Sequence, residues 1–349
     1  MPSTAVRRLA NMPRGGMLIM AALAAANIGI WAAALIVFHH YPLLLGTALL
    51  AYSFGLRHAV DADHIAAIDN VTRKLMQEQK RPLGVGFYFS LGHSTIVFGL
   101  SAAVALTAVA IKSRFASIEN FGNIAGTLIS ALFLLAIAIV NIVVLVSIIG
   151  IFRRVKAGGI YADEDLNTLL AKRGFFGRAF GRLFRLIAHD WQMYPVGVLF
   201  GLGFDTATEI GLLGISAAGA SKGLPIWSIM LFPALFAAGM ALIDTADSLL
   251  MLGAYGWAFA KPMRKLFYNI TITAVSVMVA LVIGGLETLG LVQGEYNLAG
   301  WFWNLIAELN NNFGTLGYVI IGIFILSWVV SVSVYRLKRY DEVEIVLSE

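Results

Sequence analysis

The residues best suited to chemistry in this sequence are histidines and aspartates that fall close together in the run RHAVDADHIAAID. His58, Asp61, Asp63 and His64 lie within seven positions. Imidazole nitrogen suits borderline divalent metals, whereas carboxylate oxygen suits harder ions. Cysteine is absent, which excludes thiolate sites such as those that bind Cu(I). The run therefore predicts a divalent-metal site with nitrogen and oxygen ligands, for which nickel, cobalt, zinc and manganese all remain open.

The spacing of these residues indicates which of them converge. At about 100° per residue, His58, Asp61 and His64 share one stripe of a continuous helix, while Asp63 faces elsewhere. Asp63 would reach the same ion only if the helix were locally unwound, and otherwise it supports the site or faces a neighbouring helix. Two structural histidines satisfied by interhelical hydrogen bonds are the alternative, which so dense a cluster disfavours.

Further polar residues interrupt apolar stretches elsewhere. His93 lies in the run SLGHSTIVF and is predicted to bind the metal, with an interhelical hydrogen bond as the alternative. Four carboxylates form two pairs, each on one face of its helix: Asp205 with Glu209, and Asp244 with Asp247. They are expected to form a supporting acidic pathway for the cation. A proton relay, or structural pairing with Arg57, is an equal alternative.

Each charge inside a membrane helix calls for an explanation, because it costs about 2.5–3.5 kcal/mol at the helix centre on insertion scales. Arg57 precedes Asp61 by four residues, so a structural pair between them is expected. Asp69 is attributed to helix termination near the cytoplasmic end. Glu287 is attributed to the outer interface.

The elements that must position these residues are transmembrane helices. Of 349 residues, 59% are hydrophobic and only 13% are charged, which excludes an ordinary soluble domain. Hydropathy predicts an all-α polytopic membrane protein with one membrane transport domain over residues 1–349 and eight transmembrane helices. The predicted spans cover residues 16–38, 43–69, 84–111, 122–152, 195–219, 225–258, 267–292 and 314–335.

The basic residues predict the orientation of these spans. Of the 25 Lys and Arg residues, all fall on one side of the membrane except Lys112, Arg114 and Lys222, on the other side, and Arg57, inside a span. By the positive-inside rule, both termini are cytoplasmic. The loop 153–190 is then cytoplasmic too, and is expected either to form amphipathic helices on the membrane surface or to be a solvated linker.

Four sequence runs resemble motifs of the nickel/cobalt transporter (NiCoT) family. RHAVDADHIAAIDN is similar to the family's second-helix signature, whose core H-x4-D-H corresponds here to His58, Asp63 and His64. LGHST, GFDTATE and GMALIDTAD resemble three further family motifs, in the family's order and in three different spans. The resemblance covers essentially the whole chain.

The resemblance implies high-affinity uptake of Ni²⁺, with or without Co²⁺, by a secondary transporter of the cytoplasmic (inner) membrane. It implies that the second-helix His and Asp residues are essential for transport, and it places Asn27 of the first span near the site. Nickel or cobalt is then the transported substrate, and the other partner is the lipid bilayer. No cofactor, enzymatic activity or nucleic-acid partner is expected, and the oligomeric state stays open.

Three other functions fit the pattern less well. An exporter would run the same chemistry outward, but exporters related to this family tend to carry a histidine-rich cytoplasmic loop, and the long loop here holds only His189. An intramembrane di-iron enzyme needs more histidines than the spans contain, and the H-E-x-x-H motif of zinc proteases does not occur. A proton-coupled carrier of an organic cation leaves the paired histidines without a role.

Overall fold

The computed structural model of the chain describes residues 14–78, 80–107, 112–156, 187–202, 207–258 and 262–337. These ranges are helical and contain no strand. Besides one turn of 3-10 helix, Asp190–Gln192, they form α1 (Arg14–Phe38), α2 (Pro42–His58), α3 (Ala62–Gln77), α4 (Val85–Thr107), α5 (Lys112–Lys156), α6 (Met193–Phe200), α7 (Ala207–Ser221), α8 (Ile226–Ile229), α9 (Leu231–Ala258), α10 (Pro262–Tyr296), α11 (Trp301–Asn311) and α12 (Phe313–Leu337).

Six apolar stretches in the described part of the chain are long enough to cross a bilayer, which makes the chain a multi-pass membrane protein. Helices α2 and α3 form a seventh candidate if the bent pair counts as one span. The six stretches are Arg14–Phe38, Val85–Leu106, Gly126–Arg154, Ile226–Gly253, Phe267–Tyr296 and Phe313–Ser331. Each coincides with one of the predicted spans.

The predicted span over residues 43–69 is broken into two helices, which is the local unwinding that the sequence left open as an alternative. Helix α2 ends at His58, α3 begins at Ala62, and the two helix axes differ by 50°. Asp61 occupies the N-cap position of α3 with an extended backbone (φ −64°, ψ 148°), so it starts a new helix instead of continuing the old one. Aspartate is among the residues most favoured at that position. The dense polar run therefore straddles a helix break.

The predicted span over 195–219 corresponds to two shorter helices. Helix α6 has 8 residues and α7 has 15, and residues 203–206 between them lie outside the described part of the chain. Most of the loop 153–190 also lies outside it, since the description resumes at residue 187. A short helix, α11, lies between the seventh and eighth predicted spans.

Helix α3 lies at the centre of the bundle, because every one of its residues from Ala62 to Leu75 is buried. Apolar side chains from α4, α5, α6, α10, α11 and α12 surround it and form one core cluster with Ile65 and Ile68. A second cluster joins α1, α2, α7 and α9 around Phe232 and Phe236. The break between α2 and α3 lies where these two clusters meet.

Backbones approach closely around this break because glycines face it. A Cβ atom added at Gly55 of α2 would collide with the backbone of Phe236 on α9. One added at Gly86 of α4 would collide with the backbone of Asp244, also on α9. Close helix packing is a common use of small residues in membrane proteins. It brings the polar side chains of α2, α4 and α9 within reach of one another.

Candidate metal site

Three buried histidines from three helices face one another at the break. His58 is the last residue of α2, His64 lies in the first turn of α3, and His93 lies in the middle of α4. Their ring centroids are 4.6, 4.9 and 5.0 Å apart, and none of the three side chains is more than 2% exposed. The histidine ligands predicted from the sequence therefore converge on one point.

A carboxylate of α7 joins this group. His93 Nε2 lies 2.8 Å from Glu209 Oε1 and 3.1 Å from His58 Nε2, and His58 Nε2 lies 3.7 Å from the same carboxylate oxygen. Two imidazole nitrogens at 3.1 Å cannot both direct lone pairs at each other without repulsion. A proton or a cation between them removes that repulsion, and the carboxylate favours either one.

These distances suit a shared divalent ion. Two donors that each bind a first-row ion at about 2.1 Å lie about 2.9–3.4 Å apart when they are adjacent ligands, and at most about 4.2 Å apart. One donor atom from each of His58, His64 and His93 can be chosen so that all three lie within 4.8 Å of one another. The widest of these separations exceeds the limit for two ligands of one ion, so binding would draw the three histidines slightly inward.

Two of the histidines are oriented by carboxylates on the side away from this centre. His58 Nδ1 lies 2.9 Å from Asp61 Oδ2, and His64 Nδ1 lies 3.3 Å from both carboxylate oxygens of Asp244. If Nδ1 donates its proton in each case, Nε2 keeps a lone pair for a metal, which is the usual arrangement of metal-binding histidines. The Asp61 side chain makes no capping hydrogen bond to α3, so it is available to His58.

The Nε2 atom of His64 is a buried nitrogen in need of a partner. Within the described residues it makes no hydrogen bond, although its ring is wholly buried. The ring packs edge-on against Phe89, with centroids 4.8 Å apart, and the His58 ring lies 5.5 Å from Phe236. A buried nitrogen without a partner is unfavourable, and a bound cation would satisfy it.

The helix break adds its own electrostatics. The C-terminus of α2, at His58, carries a partial negative charge that favours a cation, and the N-terminus of α3 carries a partial positive charge that favours the Asp63 carboxylate in its first turn. Discontinuous helices create ion sites in transporters in this way. The break therefore places the negative end of α2 where a cation would bind and the positive end of α3 beside the Asp63 carboxylate.

The remaining predicted ligands have different positions. Asp63 is buried, and its Oδ1 atom has no hydrogen-bond partner among the described residues. Asp244 orients His64 instead of facing the centre, and Ser90 Oγ donates to it at 2.5 Å. Asp247 lies one turn further along α9, with Oδ2 unpartnered within the described part. Asp205 lies outside the described residues.

Arg57 lies against α12, and Asn27 lies against α9. The Arg57 guanidinium and Asp61 both lie against Gly314 of α12, but among the described residues the hydrogen-bonded partner of Asp61 is His58. The structural pair of Arg57 with Asp61 stays a prediction. Asn27 is buried and its Nδ2 atom donates to the Ala238 carbonyl of α9 at 3.2 Å. It links α1 to the helix that carries Asp244.

A buried polar network along α3 was not expected from the sequence. Asp69, attributed there to helix termination, is wholly buried inside α3, and Ser276 Oγ of α10 donates to its carboxylate at 2.6 Å. Arg73 donates to the same hydroxyl at 3.1 Å, to Thr273 at 3.2 Å and to Asn70 at 3.0 Å. Helix α3 is amphipathic, a pattern that ordinarily predicts a polar face open to solvent, so its sequence did not predict this burial.

Glu287 was also placed wrongly by sequence reasoning. It was attributed to the outer interface, yet its side chain is wholly buried, and Ser130 Oγ of α5 lies 2.8 and 3.0 Å from its two carboxylate oxygens. The long helices α5 and α10 pack side by side, and their contact encloses this carboxylate. Its serine partner belongs to a distant part of the sequence.

Comparison with known proteins identifies the family. The family model NicO, described as high-affinity nickel-transport protein, matches residues 44–334. The chain belongs to the NicO family. The matched range contains all three histidines, the helix break and helices α3 to α11 in full.

Relatives of this NicO-family chain align along most of its length. It is 59% identical over 94% of both chains to a high-affinity nickel transport protein of Cupriavidus necator. It is 47% identical to the nickel transporter NicT of Mycobacterium tuberculosis over 85% of this chain and 80% of that one. It is 41% identical to the cobalt transport protein NhlF of Rhodococcus rhodochrous, over 84% of both. No solved structure matches it.

Removing the carboxylate that orients His64 should weaken metal binding. We expect Asp244→Asn to lower the affinity of the purified, detergent-solubilised protein for Ni²⁺ about 10- to 100-fold, the usual effect of losing a partner of a metal-binding histidine. Ser90→Ala should have a smaller effect in the same direction, because it removes one hydrogen bond to Asp244. Isothermal titration calorimetry measures both.

The matched control is Ser147→Ala, since Ser147 Oγ bonds only its own helix at the Val143 carbonyl. It should bind Ni²⁺ like the unmodified protein. An Asp244→Asn protein with unchanged affinity would show that His64 does not depend on this carboxylate.

Proposed function

We propose that this NicO-family chain carries Ni²⁺, and less readily Co²⁺, into the cell through the site formed by His58, His64, His93 and Glu209. The observation that carries the proposal is the convergence of three buried imidazoles and a carboxylate on one point inside an apolar bundle. Such groups are costly there unless they bind a cation during transport.

The donor set favours nickel over cobalt and manganese. Imidazole nitrogen suits nickel, and a mixed nitrogen and oxygen site without sulfur binds Ni²⁺ more tightly than Co²⁺ or Mn²⁺ by the Irving-Williams order. Two relatives are named as nickel transporters, and another is named as a cobalt transport protein. Cobalt is therefore the second substrate in this proposal.

The chain is a transporter and not an enzyme, an expectation that its family and relatives confirm. Inward direction is the proposal that remains to be tested, with export as the alternative. A secondary transporter has to expose this one site alternately to each side of the membrane, and discontinuous helices such as α2 and α3 are the common device for it.

Nickel accumulation tests substrate, site and direction together. Cells that express the unmodified chain should accumulate ⁶³Ni²⁺ from nanomolar solution, and His64→Ala should abolish accumulation, because it removes a donor and leaves Asp244 without its partner. His39→Ala is the matched control, since His39 is exposed and bonds only the Ile36 carbonyl. Competition by excess Co²⁺, Zn²⁺ or Mn²⁺ ranks the second substrate.

Three outcomes would contradict the proposal. Faster loss of nickel from preloaded cells would indicate an exporter. No transport of nickel by the unmodified chain would indicate another substrate. Normal uptake by His64→Ala, at an equal amount of protein in the membrane, would move the site elsewhere.

The proposed topology has eight spans in the cytoplasmic membrane, with both termini in the cytoplasm. Seven correspond to the apolar stretches and the bent α2–α3 pair, and the eighth consists of α6 and α7 over residues 195–219. Support for the orientation comes from the basic residues, which concentrate in the termini and in alternate loops.

Reporter fusions test this topology. Green fluorescent protein fused after residue 349 should fluoresce, and alkaline phosphatase fused at Lys222, between α7 and α8, should be active, because only the second site is predicted to lie outside the cytoplasm. An inactive phosphatase at Lys222 together with an active one at the C-terminus would invert the orientation. Activity at both sites would require an even number of spans between Lys222 and the C-terminus.

The buried network on α3 supports a release path toward the C-terminal end of that helix. Asp69 lies about 7.5 Å along the helix from His64, at 1.5 Å per residue, and Arg73 lies one turn beyond Asp69. Ser276 bridges these two charges from α10. We propose that an ion leaving the site passes Asp69 and that the Arg73 guanidinium closes the path until α3 and α10 separate.

Loss of the bridging hydroxyl should slow release without changing the site. In Ser276→Ala, Asp69 and Arg73 each lose a hydrogen bond to the hydroxyl, so their mutual attraction strengthens and holds the path closed. We expect at least a twofold lower Vmax for nickel uptake at an unchanged apparent KM. Ser333→Ala is the control, because Ser333 is exposed on α12 and bonds only the Val329 carbonyl. A raised KM with normal Vmax would assign Ser276 to ion binding instead.

A further inference from the structure

The break between α2 and α3 leaves backbone groups that the two helices do not satisfy by themselves. The turn is closed by hydrogen bonds from Val60 N to the Arg57 carbonyl and from Asp61 N to the His58 carbonyl. The hydrogen-bond ladder of α3 starts only at the Asp61 carbonyl, which accepts from Ile65. The Val60 carbonyl precedes this ladder, so it takes no part in the regular hydrogen bonding of α3. Irregular backbone inside a membrane protein persists only where other parts of the protein cover it.

The last helix provides that cover through a glycine. The Cα atom of Gly317 in α12 lies so close to the Val60 carbonyl oxygen that an added Cβ would collide with it. Contacts of this kind between a Cα–H group and a carbonyl recur at helix interfaces and are weakly stabilising. An added Cβ would also reach the Ile65 side chain, on the first turn of α3, at 3.3 Å.

A second glycine, one turn earlier, contacts the side chains at the break. A Cβ added at Gly314 would lie 3.2 Å from Asp61 Oδ1 and 3.2 Å from Arg57 Nε. Asp61 is the carboxylate that orients His58, so Gly314 is separated from this proposed ligand by a single side chain. Phe313 and Ile320 on the same face of α12 are buried in the core cluster around Ile65 and Ile68, which fixes α12 against α3.

We infer that Gly314 and Gly317 are positioning residues that hold the α2–α3 turn in the shape that lets His58 and His64 bind one ion. The inference rests on the proposed function, because it concerns the affinity of that same site. Helix α12 offers no metal-binding side chain of its own at this contact. Its effect comes from how closely its backbone approaches the turn.

The test compares three Gly→Ala substitutions in α12. Gly317→Ala should raise the apparent KM for ⁶³Ni²⁺ uptake at least fivefold, because the methyl group displaces the Val60 carbonyl and moves His58 relative to His64. Gly314→Ala should raise it less, since its new neighbours are side-chain atoms that can shift. Gly322→Ala is the matched control, because nothing lies within 4 Å of a Cβ there, and it should keep the normal KM.

The split between KM and Vmax separates positioning from general damage. Fewer folded transporters lower Vmax at constant KM, so uptake is normalised to the amount of monodisperse protein seen by fluorescence-detected size-exclusion chromatography. If Gly317→Ala yields no folded protein, Gly314→Ala decides alone. A normal KM in a folded Gly317→Ala protein, or in Gly314→Ala where Gly317→Ala does not fold, overturns the inference and leaves the proposed function intact. The proposed function is tested separately, by nickel transport in the unmodified chain and in His64→Ala.

Discussion

A divalent cation that enters an apolar bundle must exchange its water shell for protein donors, and this exchange governs the architecture of the chain. Donors strong enough to replace water are themselves costly to bury. The structure limits that cost by giving the donors partners. Asp61 holds His58, Asp244 holds His64, and Ser90 in turn holds Asp244. Among the described residues, the Nε2 atom of His64 keeps no hydrogen-bond partner, and a bound ion would satisfy it.

The helix break is the second consequence of that constraint. On a single straight helix, the side chains that can reach one ion lie in one stripe. A histidine ligand and the carboxylate that orients it would then share one surface of the helix. At the break, His58 ends one helix and Asp61 begins the next, so the carboxylate reaches the far side of the ring while Nε2 faces His93. Irregular backbone is itself unfavourable in a membrane, and close contacts from α9 and α12 make it tolerable.

Sequence reasoning located the polar cluster well and its geometry less well. That His58, His64 and His93 would lie together could be predicted because polar residues inside apolar spans are few and costly to bury. The span boundaries followed from hydropathy, which depends only on local composition. The break could not be found that way, because it depends on how Asp61 and Val60 are covered by residues about 250 positions away. Asp69 and Glu287 were misplaced for the same reason, since Ser276 and Ser130 belong to distant helices.

Helix α3 carries residues of both the proposed site and the proposed release path, so a movement of this helix would change both. Its first turn carries His64, and its middle carries Asp69 and Arg73, all on a rigid element buried on every face. A shift of α3 against α10 that parts Ser276 from Arg73 must therefore also move His64 relative to His58, which belongs to α2. Loss of the ligand geometry and opening of the path would then be one event, which is what a carrier requires if the ion is to leave only on the side that has opened.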